Sequence, residues 1–112
     1  MGCGPSKPDD EDLEKLLKRD KVIIFTKSTC PYSDFVKHMV NETGVSYKVI
    51  EVDGNDVQPE TLMKLIKFTK NKTVPQVFVN GTYVGGMLKI DKLRDRGTLG
   101  PVLKGEKKPG WC

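Results

Sequence analysis

Residues 21–26, Lys-Val-Ile-Ile-Phe-Thr, hold an unbroken β-branched and aromatic run between polar neighbours. Successive side chains of a strand point to opposite faces, so such a run must be covered on both sides. That requirement predicts a central strand in a sheet with helices above and below it. The flanking sequence supplies them. Before the run, Leu13, Leu16 and Leu17 recur at helical spacing; acidic residues from Asp9 to Asp12 suit the start of that helix, and Lys15, Lys18 and Arg19 its C-terminal half. After it, Pro31 suits the first turn of a second helix, with Phe35, Val36, Met39 and Val40 as the buried stripe and Gly44 as the stop. A strand over 47–53, a helix over 59–69 through Leu62, Leu65 and Ile66, and a polar loop over 70–72 follow. Strands over 76–80 and 82–85 are joined at Asn80-Gly81, a strong hairpin signal. Residues 88–103 are helical in pattern, interrupted by Gly97, Gly100 and Pro101. The sum is an α/β fold, a four-stranded mixed sheet flanked by helices.

At 112 residues there is room for one compact core. Residues 1–8, rich in Gly and Pro, read as an arm, 9–104 as the domain, and 105–112 as a basic tail. The net charge is +4, yet the acidic residues gather at the start while the lysines are scattered. A nucleic-acid partner would call for basic residues concentrated on one element, so none is expected. The cysteines, Cys3, Cys30 and Cys112, make no legible disulfide framework and fit a reducing compartment. The longest apolar run is far short of the ~20 residues of a membrane span, and no secretory h-region precedes a cleavage site. A cytoplasmic monomer is expected.

Cys30 stands where the central strand gives way to a helix, in Lys27-Ser28-Thr29-Cys30-Pro31-Tyr32-Ser33. Unpaired amides and the helix dipole at such a start favour a thiolate, and these settings move a thiol pKa from about 8.5 to roughly 3.5–7.5. Lys27 adds a cation. Cys30 is therefore the candidate nucleophile. His38, the single histidine, reads as a solvated surface imidazole, and no group of residues has the spacing of a mononuclear metal site.

Four segments in register carry a resemblance to the glutaredoxin family: Lys27 to Tyr32 resembles its active-site loop, Thr73-Val74-Pro75 its cis-proline loop, Asn80-Gly81 its hairpin, and Gly85-Gly86 the diglycine before a late helix. The resemblance runs from about residue 21 to 103. It implies a thioredoxin-like fold and glutathione-dependent thiol-disulfide exchange, with glutathione as co-substrate and glutathionylated proteins as partners. Cys30 would attack the glutathione sulfur of a mixed disulfide. Lys27 would pair with the glycine carboxylate of the tripeptide. A cis Pro75 would let Val74 offer its backbone to the glutathione cysteine, with Thr73 and Tyr32 lining the groove. Gly86, Met87 and Leu88 would meet the γ-glutamyl end.

The departures matter as much. Ser33 occupies the position of the second cysteine of dithiol members, so no bridge can form within the motif and reduction must depend on glutathione. Ser33 would share the catalytic motif either as the residue of a natural single-thiol member or as a replacement. Met87-Leu88-Lys89 stands where small polar and acidic residues are usual, and Leu62 aligns with a family glutamine. Two other readings follow from the family: a [2Fe-2S] cluster shared through glutathione, against which Pro31 speaks, and a membrane-tethered module without redox activity. Gly2 fits an N-myristoylation pattern with Cys3 as an acylatable second signal, which implies peripheral membrane attachment. Cys112 is the last residue, so it is not a prenylation box.

Overall fold

A computed structural model describes residues 11–54 and 56–108. Gly2, Cys3 and Cys112 lie outside the described residues. The elements run α1 (Glu11–Lys18), β1 (Val22–Thr26), α2 (Pro31–Glu42), β2 (Lys48–Glu51), α3 (Pro59–Thr69), β3 (Gln76–Val79), β4 (Thr82–Gly85), α4 (Met87–Asp95) and α5 (Leu99–Leu103).

The strands form one sheet in the order β2-β1-β3-β4. β1 pairs parallel with β2 and antiparallel with β3, and β3 pairs antiparallel with β4. β1 is thus interior, and all five of its residues are buried. Val22 and Ile24 belong to a core with Val36, Met39 and Val40 of α2, Ile90 and Leu93 of α4, and Leu99, Val102 and Leu103 of α5. Ile23 and Phe25 belong to a core with Leu13 and Leu17 of α1 and Leu65 and Phe68 of α3. The unbroken apolar run is therefore the seam between two cores. Phe78 of β3 anchors the second, edge-on to Phe25 with ring centroids 5.5 Å apart and tilted against Tyr83 at 5.2 Å.

Three sequence expectations are corrected. Phe35 is not part of the α2 stripe; it is 44% exposed, with the Arg94 guanidinium 5.6 Å from its ring centroid. The buried positions of α2 are Ser33, Val36, Met39 and Val40, because the sheet sits under the face that starts at Ser33 and recurs every three to four residues. β2 is four residues rather than seven, since its ladder with β1 runs from Ile23↔Lys48 to Thr26↔Glu51 and ends where β1 ends. Of the three predicted interruptions only Gly97 breaks the last helical stretch. Gly100 and Pro101 fall in the first turn of α5, where a proline's missing N–H forfeits no helical bond. The hairpin forms as expected, with Asn80 and Gly81 at φ 51° and 82°, the left-handed pair of a two-residue turn. On the open edge of β2 the Glu51 N–H is taken by the Asp56 carboxylate at 3.3 Å.

Phe78 and Phe35 give a direct contrast. Phe78→Ala should cost about 3–5 kcal/mol by leaving a cavity between two rings, whereas Phe35→Ala should stay within about 1 kcal/mol. Urea unfolding of both, with the slope unchanged, checks the assignment.

Candidate active site

The site is assembled where β1 ends. Cys30 is the N-cap of α2, with extended backbone angles, and Pro31 follows as the first helical residue. The segment between strand and helix is a tight turn in which the Cys30 N–H donates to the Lys27 carbonyl at 3.2 Å. The Ser33 N–H donates to the Cys30 carbonyl at 3.2 Å, so the first turn of α2 closes directly behind the thiol. Cys30 is half-buried, and its Sγ donates to the Val74 carbonyl at 3.7 Å, tying the thiol loop to the loop before β3. The Val74–Pro75 peptide is cis, as the resemblance implied.

Burial pushes the Cys30 thiol up, but other effects outweigh it and hold the group below its ordinary value. In order they are the Ser33 hydroxyl, the Ser33 and Tyr32 backbone N–H groups and the charge of Lys27. Ser33 is 1% exposed, and its Oγ has no hydrogen-bond partner among the described residues while the thiol is neutral and directed at Val74. Ionisation supplies one: a thiolate accepts from the hydroxyl. The serine in the motif is thus a buried donor waiting for a negative sulfur. Lys27 is exposed, so its influence on Cys30 is a weaker, solvent-screened one.

Beside Cys30 lies an open groove of about 450 Å³ lined by Tyr32, Thr73, Val74, Pro75, Gly86, Met87, Leu88 and Lys89, together with Asn71 and Tyr83. The structure therefore gathers Tyr32, Thr73, Val74, Pro75, Gly86, Met87 and Leu88, which are far apart in sequence, around one cavity. Tyr32 is 57% and Leu88 76% exposed, so both stand at its mouth, while Met87 packs partly into the core beneath α4. Gly86 is the N-cap of α4, and a side chain's first carbon there would stand 3.1 Å from the Pro75 carbonyl oxygen. Glycine lets the β4–α4 corner approach the cis-proline loop. Leu62 is half-buried against the α1–α3 core and is not among the groove residues. His38 is exposed, away from the thiol loop on the outer side of α2.

Residues 22–84, which hold both the thiol at the strand-to-helix junction and the cis-proline loop, match the glutaredoxin family model. The chain belongs to the glutaredoxin family. It is a thiol-disulfide oxidoreductase with the thioredoxin-like fold. It is 34% identical over 90 residues to a glutaredoxin of Vernicia fordii, covering 80% of this chain and 86% of the relative. It is 39% identical over 83 residues to glutaredoxin 3 of Escherichia coli, covering 74% and 96%. Among solved structures, holo glutaredoxin C1 of Populus tremula x tremuloides superposes with a TM-score of 0.77 at 30% identity, covering 87% of this chain and 96% of that one. A buckwheat glutaredoxin–glutathione complex superposes with a TM-score of 0.72 at 27% identity, covering 88% and 96%.

Sequence reasoning missed the residues that hold this glutaredoxin's site in shape. Gln76, 2% exposed, donates through Nε2 to the carbonyls of Asn71 at 2.8 Å and Thr73 at 2.9 Å. Asn71 in turn accepts from the Thr73 N–H and hydroxyl and donates to the Tyr83 hydroxyl at 3.3 Å. Asp53 accepts from Ser28, on the far side of the thiol loop. A polar residue opening an otherwise apolar strand was the available signal for Gln76; Asp53 had none, because its partner is 25 residues away.

The alkylation rate of Cys30 should titrate below the ordinary thiol range. Ser33→Ala should move the midpoint up, and Lys27→Gln should move it up by less, since the hydroxyl outranks the exposed cation. Mass-spectrometric rates between pH 4 and about 9 check this order. A larger shift from Lys27→Gln would reverse it.

Proposed function

We propose that this glutaredoxin reduces protein–glutathione mixed disulfides by a monothiol mechanism. The observation that carries the reading is the pairing of Cys30 at the start of α2 with a buried serine, not a second thiol, at position 33. The Cys30 thiolate attacks the glutathione sulfur of the mixed disulfide. The sulfur–sulfur bond of the mixed disulfide breaks, the protein thiolate leaves and takes up a proton, and Cys30 is left disulfide-bonded to glutathione. A second glutathione thiolate attacks the glutathione sulfur of that adduct, restoring the Cys30 thiolate and releasing oxidised glutathione. The Ser33 hydroxyl stabilises the sulfur each time it is an anion, as attacking and as leaving group.

Glutathione lies in the groove beside Cys30 with its own cysteine along Val74, in the manner of an added strand. Thr73, Pro75 and Tyr32 form the walls around it. Lys27 receives the glycine carboxylate, and the backbone amides following Gly86, at Met87 and Leu88, face the γ-glutamyl carboxylate. The solved complex of a buckwheat relative with glutathione supports glutathione as the occupant. Lys89 lines this end of the groove, so the α-amine of glutathione meets a cation rather than an acid.

Four measurements test the reading. Oxidised glutathione should leave one glutathione on Cys30 in the intact protein, Cys30→Ser should abolish deglutathionylation, and Ser33→Cys should allow a Cys30 bridge that the motif with Ser33 cannot make. Residual activity in Cys30→Ser would move the chemistry elsewhere. Lys89→Asp should lower the KM for glutathione several-fold at low salt, a gain that shrinks above about 0.1 M as the charges are screened. An unchanged or higher KM would place the amine away from Lys89.

A further inference from the structure

Between the end of β1 and the thiol there are only three residues, Lys27, Ser28 and Thr29, and one of their peptide planes is held from both sides. The carbonyl of the Lys27–Ser28 peptide accepts from the Cys30 N–H at 3.2 Å. The N–H of the same peptide points at the Asp53 carboxylate, 3.2 Å and 3.3 Å from its two oxygens, and the Ser28 hydroxyl donates to that carboxylate at 2.8 Å. Asp53 is itself fixed by the sheet, because the Val52 N–H donates to the Thr26 carbonyl at 2.8 Å and carries the β1–β2 pairing one residue past the end of β2. A continuous line of hydrogen bonds thus runs from the sheet edge through Asp53 and one peptide plane to the amide of Cys30.

We infer that Asp53 is a positioning residue of the reaction, whose carboxylate locks the Lys27–Ser28 peptide and so stations Lys27 for the glycine carboxylate of glutathione beside Cys30. The inference rests on the glutathione reading given above. Asp53, like the exposed Lys27, is not among the residues that line the groove. It acts through the backbone: a peptide fixed at both its N–H and its C=O fixes ψ of Lys27, and with it the direction in which that side chain leaves the loop. The charge also matters. Ser28's hydroxyl and amide, then Asp53's own backbone N–H and last the charge of Lys27, hold the Asp53 carboxyl below the usual carboxylate range, so its bonds to Ser28 are charge-assisted. The charge of Lys27 favours the ionised form of both Asp53 and Cys30.

The test is a double-mutant cycle on the full chain, reading the KM for glutathione, kcat and the thermal midpoint with a small glutathione mixed disulfide as the second substrate. Asp53→Ala should raise the KM several-fold with kcat and the thermal midpoint near those of the wild type. In a Lys27→Gln background the same substitution should add little, because the residue it places is gone. Asp53→Asn, which keeps an oxygen for the Ser28 N–H, should recover most of the affinity, and Ser28→Ala, which removes one donor, should show a smaller rise. An unchanged KM in Asp53→Ala while Lys27→Gln raises it would overturn the inference and leave the glutathione reading standing. An equal rise with and without Lys27 would also overturn it, by making Asp53 independent of that lysine. An unchanged KM in Lys27→Gln alone would strike the glutathione reading at Lys27 and the inference with it.

Discussion

Everything at the site hangs on β1 being covered on both faces. A strand packed between two cores cannot shift along its axis without moving apolar side chains out of both, so its last residue, Thr26, has a fixed address. Cys30 comes four residues later, at the start of a helix whose buried face, Ser33, Val36, Met39 and Val40, is seated on the same strand. The thiol is therefore located by packing, and the chemistry is added by what surrounds it: amides of the first helical turn, a buried hydroxyl, and a lysine held out in solvent.

Two loops then meet over that fixed point. The segment ahead of β3 is shaped by Gln76, whose amide gathers the Asn71 and Thr73 carbonyls beneath the surface. The segment ahead of α2 is shaped by Asp53. Neither anchor touches the reacting sulfur, and each comes from the beginning or end of a strand adjoining the one that carries the thiol. The precision of the site is thus inherited from the sheet rather than from the loops themselves.

The element order, the central strand, the hairpin and the thiol at a helix start were all legible from local pattern, because each depends on residues within a few positions of one another. The apolar run at 22–25 demanded two cores, and Asn80-Gly81 demanded a turn. What was not legible depended on distant partners. Phe35 has the spacing of a core residue, but the helix is rotated so that Ser33 faces inward in its stead, and only the sheet beneath reveals that rotation. The length of β2 was set by the end of β1, not by its own sequence. Ser33 read as the absence of a cysteine; its burial turns it into a donor with a task. Asp53 read as the last residue of a strand over 47–53, and its role exists only through Ser28.

The Asp56 carboxylate on the Glu51 N–H has a consequence for the molecule among its own copies. β2 is an outer strand of the sheet, and an outer strand with free amide groups is a template on which a second chain can add. Here one of those groups is already satisfied from within, the strand is four residues long, and it begins with an exposed lysine. Such an edge offers too few open positions, and too much charge, for another chain to continue the ladder. The same short strand that ends in time to place Asp53 at the thiol loop therefore also leaves little open backbone along this edge of the sheet.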